Sequence, residues 1–164
     1  MARRSRTVGT PALVALERAG VPHTVHTYAH DARNDVGYGL EAAQALGLPA
    51  DHVLKTLMAV VDGALVVAVV PVTATVDLKA LAAAVGGKRA AMADKAVAER
   101  ATGYVVGGIS PLGQRNPHPT VIDEGVRDVD PVYVSGGRRG LDVGLSAGDL
   151  AALTGARFGP LARR

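Results

Sequence analysis

Leu54-Lys-Thr-Leu-Met-Ala-Val-Val61, then Asp62-Gly63, then Ala64-Leu-Val-Val-Ala-Val-Val70, is the stretch on which the fold class turns. Two apolar runs flank a dipeptide that takes positive φ readily, the strongest short-range signal for a β-hairpin. Because the runs are apolar almost throughout, they are expected as central strands. Even Ala64 to Val72, the longest apolar run, falls well short of the roughly 18 residues that argue for a membrane span.

Toward the N-terminus, Thr10-Pro11 supplies an N-cap followed by proline at the first helical position, predicting a helix to about Ala19 that Gly20 ends. Val21 to Tyr28 alternates as a strand does, Ala29 to Gly37 is a loop, and Leu40, Ala43 and Leu46 share one face of a helix from Tyr38 to Leu46 before Gly47. Toward the C-terminus, Asp77 to Val85 reads as a helix closed by Gly86-Gly87, and Lys88 to Met92 as a strand. Asp94 caps a helix to about Ala101. Strands are expected at Tyr104 to Val106, Thr120 to Asp123, Val132 to Ser135 and Leu141 to Leu145, the last two joined by a turn over Gly136 to Gly140. Ser146-Ala-Gly-Asp149 resembles a capping box for a final helix ending at Gly155. Strand pairs interleaved with scattered helices predict an α+β domain on a mixed sheet.

At 164 residues the chain has the length of one domain, with residues 1–8 a basic disordered tail and 9–164 the folded unit. Hydrophobic residues at 48% and charged residues at 20% predict a soluble globular protein. The basic start leads into Thr-Val-Gly-Thr-Pro and not into an apolar stretch, so a cytoplasmic address is expected. With no cysteine there is no disulfide, no thiolate metal site and no thiol nucleophile. A net charge of +3 permits a polyanionic partner, and equally permits ordinary solvated charge.

Lys55 interrupts a run otherwise suited to a buried strand. It reads either as a strand-edge lysine whose ammonium reaches water, or as a pocket lysine that holds an anionic or carbonyl oxygen. Thr56 adds a hydroxyl that alternation points to the other face. Tyr104-Val-Val-Gly-Gly-Ile-Ser-Pro-Leu-Gly113 is bare enough for its backbone N–H groups to approach a ligand, or is a plain tight turn. Ser135-Gly-Gly-Arg-Arg-Gly-Leu-Asp142 is a second glycine-rich turn, whose Arg138 and Arg139 either steer phosphates or are solvated. His23 and His26 fall on opposite faces of a strand, which with His30 argues against a metal site. Neither Ser110 nor Ser135 stands in a GxSxG elbow, so no hydrolase triad is supported.

Lys55-Thr56, Gly107-Gly-Ile-Ser-Pro-Leu-Gly113 and Ser135-Gly-Gly-Arg-Arg-Gly-Leu-Asp142 together resemble the YbaK/EbsC family, related to the editing domain inserted in bacterial prolyl-tRNA synthetases. His26-Thr-Tyr-Ala-His-Asp31, Tyr38-Gly39, Met92-Ala-Asp94 and Ala147-Gly-Asp-Leu150 follow in family order, so the resemblance spans nearly everything after the basic tail. The Asp31 to Gly37 loop is a residue longer than usual, and Tyr38 stands where phenylalanine is common.

The resemblance implies a mixed β-sheet curled into a barrel-like core with flanking helices, and a free-standing deacylase of Cys-tRNA(Pro), also active on Cys-tRNA(Cys). It implies Lys55 as the catalytic residue. The substrate pocket it implies is lined by Tyr28, Tyr38, Thr56, Gly107, Gly108, Ile109, Ser110, Pro111, Ser135, Gly136 and Asp142. No cofactor or metal is implied. The partners it implies are the acceptor end of aminoacyl-tRNA and, in a complex, prolyl-tRNA synthetase. In a cysteinyl ester the substrate's own thiol can attack, so the enzyme needs positioning and charge stabilisation more than a nucleophile. The alternatives are a water-mediated deacylase of another aminoacyl-tRNA such as Ala-tRNA(Pro), and a non-catalytic module that binds tRNA or a synthetase.

Overall fold

The structure, a computed structural model, describes residues 9–31, 33 and 36–164. The basic tail expected over residues 1–8 lies outside the described residues.

The hairpin forms as its sequence requires. Strand β2 (Leu54–Val61) pairs antiparallel with β3 (Ala64–Pro71) from Leu54↔Pro71 to Val61↔Ala64. Asp62 and Gly63 turn the chain with φ of 49° and 87°, the pair of positive values that matches the twist of the flanking strands. On one side β5 (Ala90–Met92) pairs with β2, but only from Ala59 to Val61. On the other side β3 pairs parallel with β6 (Thr120–Asp123), which pairs parallel with β9 (Arg157–Gly159). Order β5-β2-β3-β6-β9 makes one mixed five-stranded sheet.

Strand alternation sends side chains to two cores. Ala59, Val61, Val66, Ala68 and Val70 pack against Leu81 and Ala82 of helix α3 (Leu78–Ala84). Leu54, Met58, Val67 and Val69 pack instead against Ala12, Leu13 and Leu16 of α1 (Pro11–Ala19), against β7 (Val132–Arg138) and β8 (Leu141–Leu145), and against α5 (Ala147–Thr154). Strands β7 and β8 form a three-stranded sheet with β1 (Thr24–Thr27), in the order β1-β8-β7. A two-stranded pair, β4 (Thr75–Val76) with β10 (Ala162–Arg163), completes the set among the described residues.

Three of the expected caps form side-chain bonds. Thr10 accepts from Leu13 N–H at 3.2 Å, Asp77 from Ala80 N–H at 3.1 Å and Ser146 from Asp149 N–H at 3.0 Å. Helix α2 (Tyr38–Leu46) ends at Gly47 in the left-handed conformation, and α4 (Lys95–Thr102) ends likewise at Gly103. Asp94 precedes α4 but makes no side-chain cap bond.

Three expectations are corrected, and the barrel-like curl is not confirmed. The first strand is Thr24–Thr27, shorter than Val21 to Tyr28, because it pairs on one side only, with the four residues Leu141 to Gly144. Tyr104 to Val106 is not a strand: Thr102 Oγ1 accepts from Tyr104 N–H, and the Glu99 carboxylate takes Val106 N–H at 2.7 Å, so the donors a ladder needs are already spent. Strand β7 runs on to Arg138 through a bulge after Ser135, where a turn was expected. No closed barrel is found among the described residues; the strands divide among three sheets, the larger two touching through the bridge between Val53 and Tyr133.

Candidate functional site

Because β5 pairs with β2 only as far as Ala59, with one further bond from Ala93 N–H to Met58 O at 3.0 Å, Leu54 to Leu57 have no ladder on that side, where β7 approaches through the Val53–Tyr133 bridge. A cavity of about 350 Å³ lies against these residues. Leu54 to Met58 form one wall, Tyr38, Gly39 and Ala42 of α2 a second, and Val106, Gly107 and Ile109 a third. Tyr28, Ser135 and Asp142 close the far side, and Met92, Ala93 and Lys95 border it beyond β5. That is a size suited to a small ligand or the end of a larger one.

The electrostatics follow from a largely apolar lining. Burial lowers the Lys55 pKa from its ordinary value, since an ammonium loses solvation in such a place. Lys55 makes no ion pair among the described residues. Asp142 is 6% exposed, and burial pushes its carboxyl up to about 7. Burial, reinforced by the Asp142 charge, pushes the neighbouring Tyr28 phenol up to about 12. The buried Thr56 hydroxyl has no hydrogen-bond partner among the described residues. A buried hydroxyl without a partner costs about 1–3 kcal/mol, so a polar group brought to it by a ligand is favoured.

The loop that forms the third wall is held by side chains and turns in place of a ladder. Tyr104 Oη donates to Leu112 O at 2.7 Å, Ser110 Oγ accepts from Leu112 N–H at 3.1 Å, and Gly108 N–H donates to Val105 O at 2.9 Å. Arg139 locks the loop to the β7–β8 turn, donating through Nε and a terminal nitrogen to Val106 O at 3.0 and 2.7 Å while lying 5.0 Å from the Tyr38 ring centroid. Gly107 has a φ of 94°. A Cβ there falls within 3 Å of Tyr38 and Arg139, so glycine is required by conformation and by space alike.

Of the residues singled out from sequence, Tyr28, Tyr38, Lys55, Thr56, Gly107, Ile109, Ser135 and Asp142 border this one cavity. Gly108, Ser110, Pro111 and Gly136 do not. A Cβ on Gly108 meets the Arg138 backbone at 2.7 Å, and one on Gly136 meets Leu141 Cγ at 2.7 Å, so both permit close packing behind the wall. Ser110 is fully buried inside its turn. Since Gly108 N–H is spent on Val105, of that glycine pair only Gly107 keeps an amide without a partner among the described residues.

Sequence reasoning missed Lys95, which reads as nothing more than the first residue of a helix, and the clamp formed by Arg139. It also missed Glu41, whose buried carboxylate accepts from Asp31 N–H and meets His30 Nδ1 at 2.8 Å, bracing the segment beside Tyr38. Burial opposes the Glu41 charge, but these bonds keep its pKa below the ordinary value. The three histidines are engaged separately: His23 with Val21 O, His26 with Thr24 Oγ1, His30 with Glu41. The cavity wall carries no histidine among its described residues, and Ser135 Oγ accepts from Gly137 N–H, so nothing pairs a nucleophile with a base.

The model of the aminoacyl-tRNA editing domain matches residues 38–153. The chain belongs to the aminoacyl-tRNA editing domain family. EbsC of Enterococcus faecalis, named as a candidate Cys-tRNA(Pro)/Cys-tRNA(Cys) deacylase, is 32% identical over 159 residues, 96% of each chain. The crystal structure of a candidate trans-editing enzyme for prolyl-tRNA synthetase matches with a TM-score of 0.82 at 27% identity, over 94% of this chain and 96% of that one. A hypothetical protein at 22% identity, TM-score 0.81, covered over 93% of this chain and 99% of its own, shows the same fold. The editing domain is therefore an aminoacyl-tRNA deacylase fold carrying an apolar cavity with an unpaired lysine. None of its described helices is long and apolar enough to cross a membrane.

Proposed function

We propose that this editing domain, one folded unit over residues 9–164, removes cysteine from Cys-tRNA(Pro) and Cys-tRNA(Cys), with the aminoacyl-adenosine end in the cavity beside Lys55. The observation that carries the reading is the unpaired, desolvated Lys55 in a cavity that pairs no protein nucleophile with a base. Such a site suits a substrate that brings its own nucleophile. Lys55 and Gly107 N–H orient the ester and stabilise negative charge on its carbonyl oxygen. The substrate thiol forms a bond to the ester carbon, the bond to the ribose oxygen breaks, and the thiol proton passes to that oxygen; water then opens the cyclic thioester. Thr56, Tyr28, Tyr38, Ile109, Ser135 and Asp142 bind the aminoacyl end, while Gly108, Ser110, Pro111 and Gly136 shape the wall from behind. A chain without cysteine has no thiol of its own to compete.

Incubation with Cys-tRNA(Pro), Ala-tRNA(Pro) and Pro-tRNA(Pro), against a Lys55→Ala control, tests this. Loss of the cysteinyl ester alone, dependent on Lys55 and passing through a cyclised product, is expected. Loss of alanine as free amino acid replaces the reading with a water-mediated deacylase, and binding without turnover replaces it with a tRNA- or synthetase-binding module. The synthetase complex is read out separately, by co-elution with prolyl-tRNA synthetase.

A further inference from the structure

Met92 and Ala93 border the cavity beside Lys55, and the adjoining residues Ala90 and Ala91 of β5 border a second, more open hollow of about 530 Å³, between the β2–β3 turn and the start of α3. Lys79, Lys88 and Arg89 line that hollow, and all three are exposed. None of them forms an ion pair among the described residues. The acids on the way are Asp62 and Asp94. Asp62 spends its two carboxylate oxygens on the backbone N–H groups of Lys88 and Arg89, each at 2.9 Å, and Asp94 stands next to Lys95.

Five other arginines among the described residues are occupied. Arg115 donates to Arg100 O and Arg157 to Ala84 O. Arg127 lies over Phe158, Arg139 is bound to Val106 O, and Arg163 pairs with Asp77. Arg18, Arg100 and Arg164 have no side-chain partner among the described residues either, but they border neither hollow, whereas Lys95, Lys79, Lys88 and Arg89 do. Being the terminal strand of its sheet, β5 presents an open edge between the two hollows, and Met92, 47% exposed, offers a thioether there, a group that packs well against aromatic faces. Met92 to Arg89 spans about 10 Å at ordinary strand rise.

We propose that the RNA of the substrate leaves the Lys55 cavity past Lys95 and Met92, follows the outer edge of β5, and sets its backbone phosphates on Lys79, Lys88 and Arg89. This rests on the reading of that cavity as the seat of the aminoacyl end. Phosphate contacts of this kind fix position and supply affinity without reading sequence, so the route serves any tRNA that presents the right amino acid.

The test is equilibrium binding of deacylated tRNA(Pro), labelled at its 5′ end, followed by fluorescence anisotropy across a salt series. The triple variant Lys79→Ala, Lys88→Ala, Arg89→Ala is expected to bind about tenfold or more weakly, with the slope of log affinity against log salt reduced by about 2. The charge-preserving triple Lys79→Arg, Lys88→Arg, Arg89→Lys retains both, as does Arg100→Ala with Arg115→Ala. Unchanged affinity and slope in the alanine triple, or equal loss in the charge-preserving triple, overturns the route. Because the ligand carries no amino acid, the result stands whether or not the protein releases cysteine.

Discussion

The two halves of strand β2 have the same kind of sequence and opposite fates. From Ala59 to Val61 the strand is flanked on both sides, by β3 and β5, and Ala59 and Val61 pack with α3. From Leu54 to Leu57 its only ladder is with β3; Met58 O still takes Ala93 N–H at 3.0 Å, β7 approaches through the Val53–Tyr133 bridge, and the residues border a cavity. Sealing the strand spends its backbone and side chains on stability, whereas ending β5 after three residues leaves a lysine and an orphaned hydroxyl beside a cavity. On the proposed reading of the cavity, stability and function are thus separated along eight residues of one strand.

The comparison is broken most sharply at Lys55. Lys55→Ala should reduce cysteinyl-tRNA deacylation by about a hundredfold or more, the scale of removing one stabilising donor, with the melting temperature little changed. Full activity in a folded Lys55→Ala protein separates the half beside the cavity from the chemistry. Next comes Asp142, which faces that half across the cavity. Folded, its carboxyl holds a proton up to about pH 7, whereas an unfolded aspartate releases it near 4. Between those values the folded state binds more protons, so stability falls as pH rises from about 4 to 7 and is lowest above that window, by on the order of 4 kcal/mol. Asp142→Asn removes the titration. Its melting temperature should exceed that of the unaltered protein at pH 8 and match it at pH 4; parallel melting profiles for the two show that Asp142 is not held protonated by burial.

What sequence made legible follows the same division. The hairpin, the caps at Thr10, Asp77 and Ser146, and the glycine terminators are local, and local chemistry decides them. Tyr104 to Val106 misled because its apolar pattern suits a strand while its partners, Glu99 and Arg139, come from elsewhere in the chain. Strands β4, β9 and β10 are two or three residues long, too short to carry a period. Lys55 stood out because it broke a pattern. Lys95 and Arg139 broke none: basic residues at a helix start and in a turn are ordinary, and only the folded chain shows that one borders the cavity and the other clamps its wall.

The sealed half supplies the opposite perturbation. Val61→Ala removes two methyl groups from the core shared with Leu81 and should cost about 1–3 kcal/mol in urea unfolding, leaving the activity of the folded fraction intact. Loss of activity beyond the unfolded fraction breaks the division of the strand. The smallest expected effect is the most diagnostic. Thr56→Val preserves shape while deleting a buried hydroxyl that has no partner, so the variant should be more stable by about 1 kcal/mol, against the usual direction for a substitution inside a strand. If that hydroxyl is held in reserve for the substrate, the same variant should raise KM for Cys-tRNA. A gain in stability with unchanged KM marks the hydroxyl as a mere packing defect. A loss of stability means instead that it finds a partner in solution, and the half of β2 beside the cavity is then less available to a ligand than its geometry shows.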